Sequence, residues 1–280
     1  MTTSALASDE LVEMRGLRFH YRDWPSARPG ARDLVLLHGF TGHARSWDAF
    51  AAAMTDRYRV LALDQRGHGE SGWAPAGGYG AEEMVEDLRA FVAALGLNGF
   101  TLLGLSMGGN VAIHYAGARP RELAALVIVD IAPEIEPAGM GRIRSGVQSA
   151  DVFASREAAF AAARAANDAP PEVHHRHRVV NNLMLTEDGR WTWRYDRALR
   201  SGTDRRRADP EAGWRACAAI AVPTLLIRGE RSDILSPRVA QRMIDTIPGA
   251  RLAVVEGSGH SVPLDAPDGF LAAARAFLQG

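Results

Sequence analysis

Residues 100–109 read FTLLGLSMGG, an apolar run that leads into the pentapeptide Gly104-Leu105-Ser106-Met107-Gly108. A helix-like stretch, residues 109–118, follows directly. A serine between two glycines at a strand-to-helix turn is typical of a nucleophile elbow, where the serine backbone is strained and only small neighbours fit. The pattern predicts that the Ser106 hydroxyl projects above a strand end, at the positive end of a helix.

Two later segments carry side chains that could activate this hydroxyl. The apolar run 224–228 leads to Asp233, and the run 252–255 leads to His260, so the chain order is serine, acid, histidine. A serine hydroxyl is a weak nucleophile at neutral pH, and an imidazole oriented by a carboxylate is a suitable base. We interpret Ser106 as nucleophile, His260 as base and Asp233 as the acid. Asp130, at the end of another predicted strand, is the competing acid.

Two loops complete the motif set. The run 34–37 ends in the loop HGFTG (38–42), and the run 58–63 is followed by DQRGHGES (64–71). Together with the serine–acid–histidine order, these motifs resemble those of the α/β-hydrolase fold, in particular its serine esterase and lactonase-like members, over nearly the whole chain. The resemblance implies an oxyanion hole formed by the backbone N–H groups of Phe40 and Met107, and it implies neither a cofactor nor a metal.

Composition limits the classes of protein and partner. The chain has 280 residues, 47% of them hydrophobic, which is enough for one large α/β domain with an insertion. A formal charge of -1 gives no field that would attract nucleic acid or an acidic membrane, so neither partner is expected. The first residues lack the basic leader and apolar core of a secretory signal, which predicts a cytoplasmic protein. The sequence leaves the oligomeric state open.

Short apolar runs alternate with alanine-rich amphipathic stretches, which predicts an α/β fold with a mainly parallel, eight-stranded sheet flanked by helices. The alternation breaks between Pro133 and Trp214. We therefore predict a core of residues 1–132 and 215–280 and a mostly helical cap, residues 133–214, inserted after strand 6. Within it Trp191, Trp193 and Tyr195 alternate along the chain. They are candidates for lining the substrate pocket, and anchoring the cap to the core is the equal alternative.

The expected reaction is hydrolysis of carboxylic esters, or of lactones, of small hydrophobic substrates through an acyl-enzyme on Ser106. Two alternatives keep the same fold and serine: a carbon–carbon bond hydrolase and a cofactor-free perhydrolase. A third alternative belongs to another class, a non-catalytic small-molecule receptor. Relatives with an aspartate nucleophile, the haloalkane dehalogenases and epoxide hydrolases, are disfavoured because this elbow carries Ser106.

Overall fold

The computed structural model describes residues 7–136, 139, 141, 151–201 and 209–279. Its main sheet has eight strands in the order β1-β2-β4-β3-β5-β6-β10-β11. These strands are β1 (Ser8–Met14), β2 (Leu17–Trp24), β3 (Arg32–Leu37), β4 (Tyr58–Leu63), β5 (Phe100–Leu105), β6 (Leu123–Val129), β10 (Thr224–Gly229) and β11 (Arg251–Val255). The pairs β1–β2 and β2–β4 are antiparallel and the remaining pairs are parallel. The predicted architecture is confirmed.

The central strands form because they are apolar on both faces, as a parallel sheet covered by helices requires. In β3, Leu34 and Leu36 pack into one core cluster, whereas Val35 and Leu37 pack into the other. One strand was not located from the sequence. β1 reads SDELVEM and is almost entirely exposed at the sheet edge, so it lacks the apolar run that marks the others.

The helices follow in chain order. They are α1 (Asp48–Met54), α2 (Ala81–Ala94), α3 (Met107–Gly117), α4 (Arg156–Ala166), α5 (Glu172–Asn181), α6 (Ala198–Ser201), α7 (Pro210–Ala219), α8 (Pro237–Thr246), α9 (Val262–Asp265) and α10 (Pro267–Leu278). Helices α2, α3, α7 and α8 cover one face of the sheet, and α1 and α10 cover the other. No helix in the described ranges is long and apolar enough to cross a membrane.

The chain between β6 and α7, which we call the insertion, leaves the main sheet. It contains α4, α5 and α6 and also a small antiparallel sheet in the order β7-β9-β8, from β7 (Val152–Phe153), β8 (Leu183–Leu185) and β9 (Trp191–Trp193). The expectation of a mostly helical segment therefore missed this sheet. Its strands are only two or three residues long, too short for a periodic pattern, and they pack on a local core around Phe160 and Val179.

Hydrogen bonds hold the insertion over the loops that follow β3 and β4. Backbone N–H groups of Gly69 and Asp196 donate to the carbonyl oxygens of Arg194 and Gly67 at 2.9 and 2.7 Å. The Asn182 side chain donates to the Thr41 carbonyl at 2.7 Å. The insertion thus covers the carboxyl ends of parallel strands, the edge at which α/β proteins bind ligands.

Candidate active site

The predicted elbow is present between β5 and α3. Ser106 has a φ of 52°, in the left-handed region that costs free energy for a residue with a Cβ atom. A Cβ atom on Gly108 would lie 2.5 Å from the carbonyl oxygen of Leu37, and one on Gly104 would overlap the Gly108 backbone. Close backbone approach therefore requires both glycines, and it holds Ser106 at the end of the sheet.

Ser106 and His260, remote in the sequence, lie in hydrogen-bond contact. The Ser106 hydroxyl and His260 Nε2 are 2.9 Å apart, and His260 Nδ1 is 2.8 Å from Oδ2 of Asp130. With Nδ1–H donating to the carboxylate, Nε2 is left to accept the serine proton. Asp130 is fully buried and His260 is partly accessible. This is the geometry that a base-activated serine needs.

The expected pairing of Asp233 with His260 is wrong, because Asp130 occupies that position. β6 and β10 are neighbours in the sheet, so the residues after both strands reach the same edge. From the loop after β10 it is Ser232 that reaches this carboxylate, with its hydroxyl donating to Asp130 Oδ2 at 2.5 Å. The backbone N–H of Gly229 donates to the other carboxylate oxygen at 2.9 Å. Asp233 lies one residue further along, on the way to the buried Ile234.

The loop after β3 lies directly beside the serine. A Cβ atom on Gly39 would be 3.4 Å from Cβ of Ser106. His38 fixes the loop, since its Nδ1 donates to the Gly39 carbonyl at 2.8 Å and its Nε2 accepts the Gln65 N–H at 3.0 Å. Burial lowers the pKa of His38, which favours the neutral ring that these two bonds require. Phe40 and Met107, whose N–H groups are predicted to form the oxyanion hole, directly follow Gly39 and Ser106 in the chain.

Comparison with known proteins gives the family. A family model for the alpha/beta hydrolase fold matches residues 34–267. The chain belongs to this family. A 3-hydroxybutyrate-oligomer hydrolase from Cupriavidus necator is 30% identical to this hydrolase-fold chain, with 81% of each chain covered. Esterase Rv0045c from Mycobacterium tuberculosis is 28% identical, over 88% of this chain and 82% of the relative.

A solved structure agrees in fold over nearly its full length. An alpha/beta hydrolase from Novosphingobium aromaticivorans is 29% identical, covers 98% of this chain and 99% of its own, and has a TM-score of 0.87. The relatives are hydrolases and esterases, and they support a hydrolase of this fold without fixing its substrate.

Asp64 organises the loops of this alpha/beta hydrolase behind the serine, a role that the sequence did not indicate. Its carboxylate accepts the N–H of Ala44 at 2.5 Å and of Glu70 at 2.9 Å, and pairs with His20 Nδ1 at 2.7 Å. Burial opposes the charge, but the His20 hydrogen bond prevails and lowers the pKa of Asp64 to about 2. The ionised carboxylate thus joins the loop after β3 to the loop after β4.

The three aromatic pocket candidates occupy different places. Tyr195 is buried, and its ring centroid lies 6.1 Å from that of Phe40 and 6.1 Å from that of His68, beside the sheet edge that carries Ser106. Trp193 stacks edge-on against Phe153 at 5.3 Å, and Trp191 packs against the insertion's own core. Tyr195 thus meets the loops of the core, whereas Trp191 stabilises the insertion.

Metal chemistry has no evident scaffold in the part of the chain that the structure describes. No group of three or more histidine, cysteine, aspartate or glutamate side chains there could hold a metal ion. The single cysteine, Cys217, is buried in the core, and burial raises the pKa of its thiol to about 12. Such a thiol is a poor nucleophile, because the reactive form is the thiolate.

Proposed function

We propose that this protein hydrolyses carboxylic esters, lactones included, through an acyl-enzyme on Ser106. The single observation that carries the proposal is the hydrogen-bonded line from the Ser106 hydroxyl through His260 to Asp130. The similarity to an esterase and to an oligomer hydrolase supports a hydrolytic rather than a purely ligand-binding role.

In the acylation step, the Ser106 oxygen attacks the carbonyl carbon while His260 Nε2 takes its proton. Negative charge develops on the carbonyl oxygen, and the N–H groups of Phe40 and Met107 stabilise it. The tetrahedral intermediate collapses as His260 returns the proton to the leaving alcohol. Asp130 holds the ring orientation and balances the imidazolium charge throughout. Water then attacks the acyl-enzyme by the same route and releases the acid.

We assign residues 133–214 the role of a cap that closes the space above Ser106. Support comes from the contacts of this segment with the loops after β3 and β4, the first of which lies beside Ser106. Tyr195 is the aromatic side chain of the cap that best fits a pocket-lining role, since its ring lies beside Phe40. Closing this space excludes water until the acyl-enzyme has formed and strengthens the electrostatic stabilisation of the oxyanion.

The test is replacement of the nucleophile. Ser106→Ala should lower kcat for p-nitrophenyl butyrate by about 10⁴-fold or more, because the covalent route is lost while binding remains. A fluorophosphonate probe should add one adduct to the wild-type protein and none to Ser106→Ala. Ser155→Ala, which removes the N-cap of α4, serves as the matched control and should keep both activity and labelling.

Two results would contradict the proposal. Wild-type turnover by Ser106→Ala would show that Ser106 takes no part in the reaction. Saturable ligand binding by the wild type, without hydrolysis of any ester or lactone across a panel of acyl lengths, would favour the receptor alternative.

A further inference from the structure

Arg178 lies on the face of α5 that packs against the core. Its carbonyl oxygen accepts a hydrogen bond from Nε2 of His43 at 3.0 Å. One turn later, Asn182 bonds to the Thr41 carbonyl at 2.7 Å. This face of α5 therefore covers the loop that runs from Gly39, beside Ser106, to the start of α1. A cation on this face is close to the space in which the substrate is expected.

The guanidinium of Arg178 has no anion bonded to it among the described residues. No hydrogen bond and no ion pair within 4.0 Å connects this group to them. Its helical neighbour Arg176 differs, because it pairs with Glu172 at 3.6 Å and lies over the Phe160 ring. Burial lowers the pKa of Arg178, and Asp265 and Tyr195 raise it by acting on the charge from nearby.

Asp265 acts on the Arg178 charge from nearby, but no hydrogen bond or ion pair within 4.0 Å joins them, and its carboxylate bonds elsewhere. Oδ2 accepts the Gly259 N–H at 2.9 Å, and Oδ1 accepts the Asn167 side chain at 3.1 Å. Arg178 is half-buried, and its guanidinium, which the described residues leave without a bonded counter-charge, stays accessible to a ligand. The arrangement is therefore typical of a site whose anion arrives with a ligand.

Arg178 also lines a cavity of about 110 Å³ that lies between α5, residues 45–50 and the helices α9 and α10. Pro263 and Leu264 contribute apolar wall, and α9, to which they belong, begins two residues after His260. Two other basic side chains of the lining have acidic partners: Arg45 pairs with Asp9 at 2.8 Å, and His177 lies 3.2 Å from Asp48. The acidic residue of the lining, Asp268, is exposed.

We propose that Arg178 binds a carboxylate at the far end of the substrate's acyl chain, so that the preferred substrates are half-esters of dicarboxylic acids. This inference rests on the proposed ester hydrolysis. The planar guanidinium fork matches a carboxylate in two parallel hydrogen bonds, and the apolar wall accepts the methylene groups between the two ends of the chain.

The experiment compares esters matched in length. Mono-p-nitrophenyl glutarate and adipate carry the terminal carboxylate, and p-nitrophenyl pentanoate and hexanoate lack it. Arg178→Met keeps the length of the side chain and removes its charge. It should raise KM for the carboxylate esters by roughly 10- to 100-fold, the effect of losing one charge-assisted pair, and change kcat little. KM for the uncharged esters should stay within about threefold, since they make no such pair.

The controls separate charge from structure. Arg176→Met removes the same charge from the solvent side of the same helix and should leave all four KM values unchanged. Arg178→Lys should restore part of the carboxylate preference, because it returns a point charge without the fork. Calorimetric titration of glutarate and adipate into the inert Ser106→Ala protein should show binding, and the Ser106→Ala/Arg178→Met protein should show none.

The outcomes distinguish the two proposals. Absence of hydrolysis of all four esters by the wild type, with no fluorophosphonate labelling, would overturn the proposed function. Normal hydrolysis of the uncharged esters, with Arg178→Met affecting charged and uncharged substrates alike, would overturn only the role of Arg178.

Discussion

Asp130 has both carboxylate oxygens engaged by the protein. Oδ1 accepts the Gly229 N–H, and Oδ2 faces both the Ser232 hydroxyl and His260 Nδ1. Its φ of 51° is a left-handed value that aspartate tolerates better than most residues. These contacts fix the carboxylate in one orientation, so the imidazole is held with its acceptor nitrogen toward Ser106.

Replacing this carboxylate should therefore lower the catalytic rate severely. Asp130→Asn is expected to lower kcat by about 10³- to 10⁴-fold, because the neutral amide favours the wrong tautomer and cannot balance the imidazolium. Asp233→Asn is the matched control and should stay within about threefold of wild type. Steady-state kinetics on p-nitrophenyl butyrate measures both. A larger loss in Asp233→Asn than in Asp130→Asn would return the acid role to the loop after β10.

At the scale of elements, the elbow depends on the close approach of α3 to the end of β3. A Cβ atom added to Gly108 would lie 2.5 Å from the Leu37 carbonyl oxygen and 2.7 Å from that of His38. Both obstacles are backbone atoms and cannot rotate away. Accommodating a methyl group would push the loop that carries Gly39 and Phe40 away from Ser106.

Gly108→Ala should therefore reduce stability and activity together. We expect a loss of about 1–3 kcal/mol in the free energy of unfolding, the usual cost of overpacking. The fall in kcat should exceed what the unfolded fraction explains, because the oxyanion donors are displaced. Gly80→Ala, where a Cβ atom meets nothing within 4 Å, is the control. Denaturant titration and steady-state kinetics give both quantities, and equal behaviour of the two variants would refute this reasoning.

On the scale of the whole molecule, several buried histidines make stability depend on pH. Burial lowers the pKa of His43 to about 3 and that of His175 to about 4, and it lowers the pKa of His38. His20 moves the other way: burial opposes its charge, but the bond to Asp64 leaves its pKa raised. Below about pH 6.5, His38, His43 and His175 therefore bind protons in the unfolded chain but not in the folded chain.

Stability should therefore fall as the pH drops from about 6.5 toward 4.5. The raised pKa of His20 acts mainly above this window, because its contribution to stability is already present below about pH 6.5. Each lowered group contributes up to about 1.4 kcal/mol per pH unit in this window. In His43→Gln, the amide nitrogen can still donate to the Arg178 carbonyl, but the side chain no longer titrates. The slope of stability against pH should therefore decrease by about the contribution of one histidine. Melting temperatures of both proteins across the window test this, and identical slopes would count against it.

The parts of this fold that were predictable from the sequence are those governed by local pattern. Buried parallel strands such as β5 appear as apolar runs, and the glycines around Ser106 mark a tight turn. The choice between Asp130 and Asp233 depends on which of two adjacent loops points its side chain at His260, which no local pattern indicates. Arg178 was missed for a similar reason, since a cation in a helix rich in arginine and histidine resembles a solvated surface.

The backbone bonds between residues 67–69 and 194–196 have a mechanical consequence. We expect these two main-chain pairs to hold residues 194–196 against the core more firmly than an isolated side-chain contact would. Elsewhere the insertion meets the core through isolated contacts, such as the Asn167 amide with Asp265 at 3.1 Å and His43 with the Arg178 carbonyl at 3.0 Å. For the proposed cap, we therefore expect substrate to enter on the side held by these isolated contacts, next to α9 and His260.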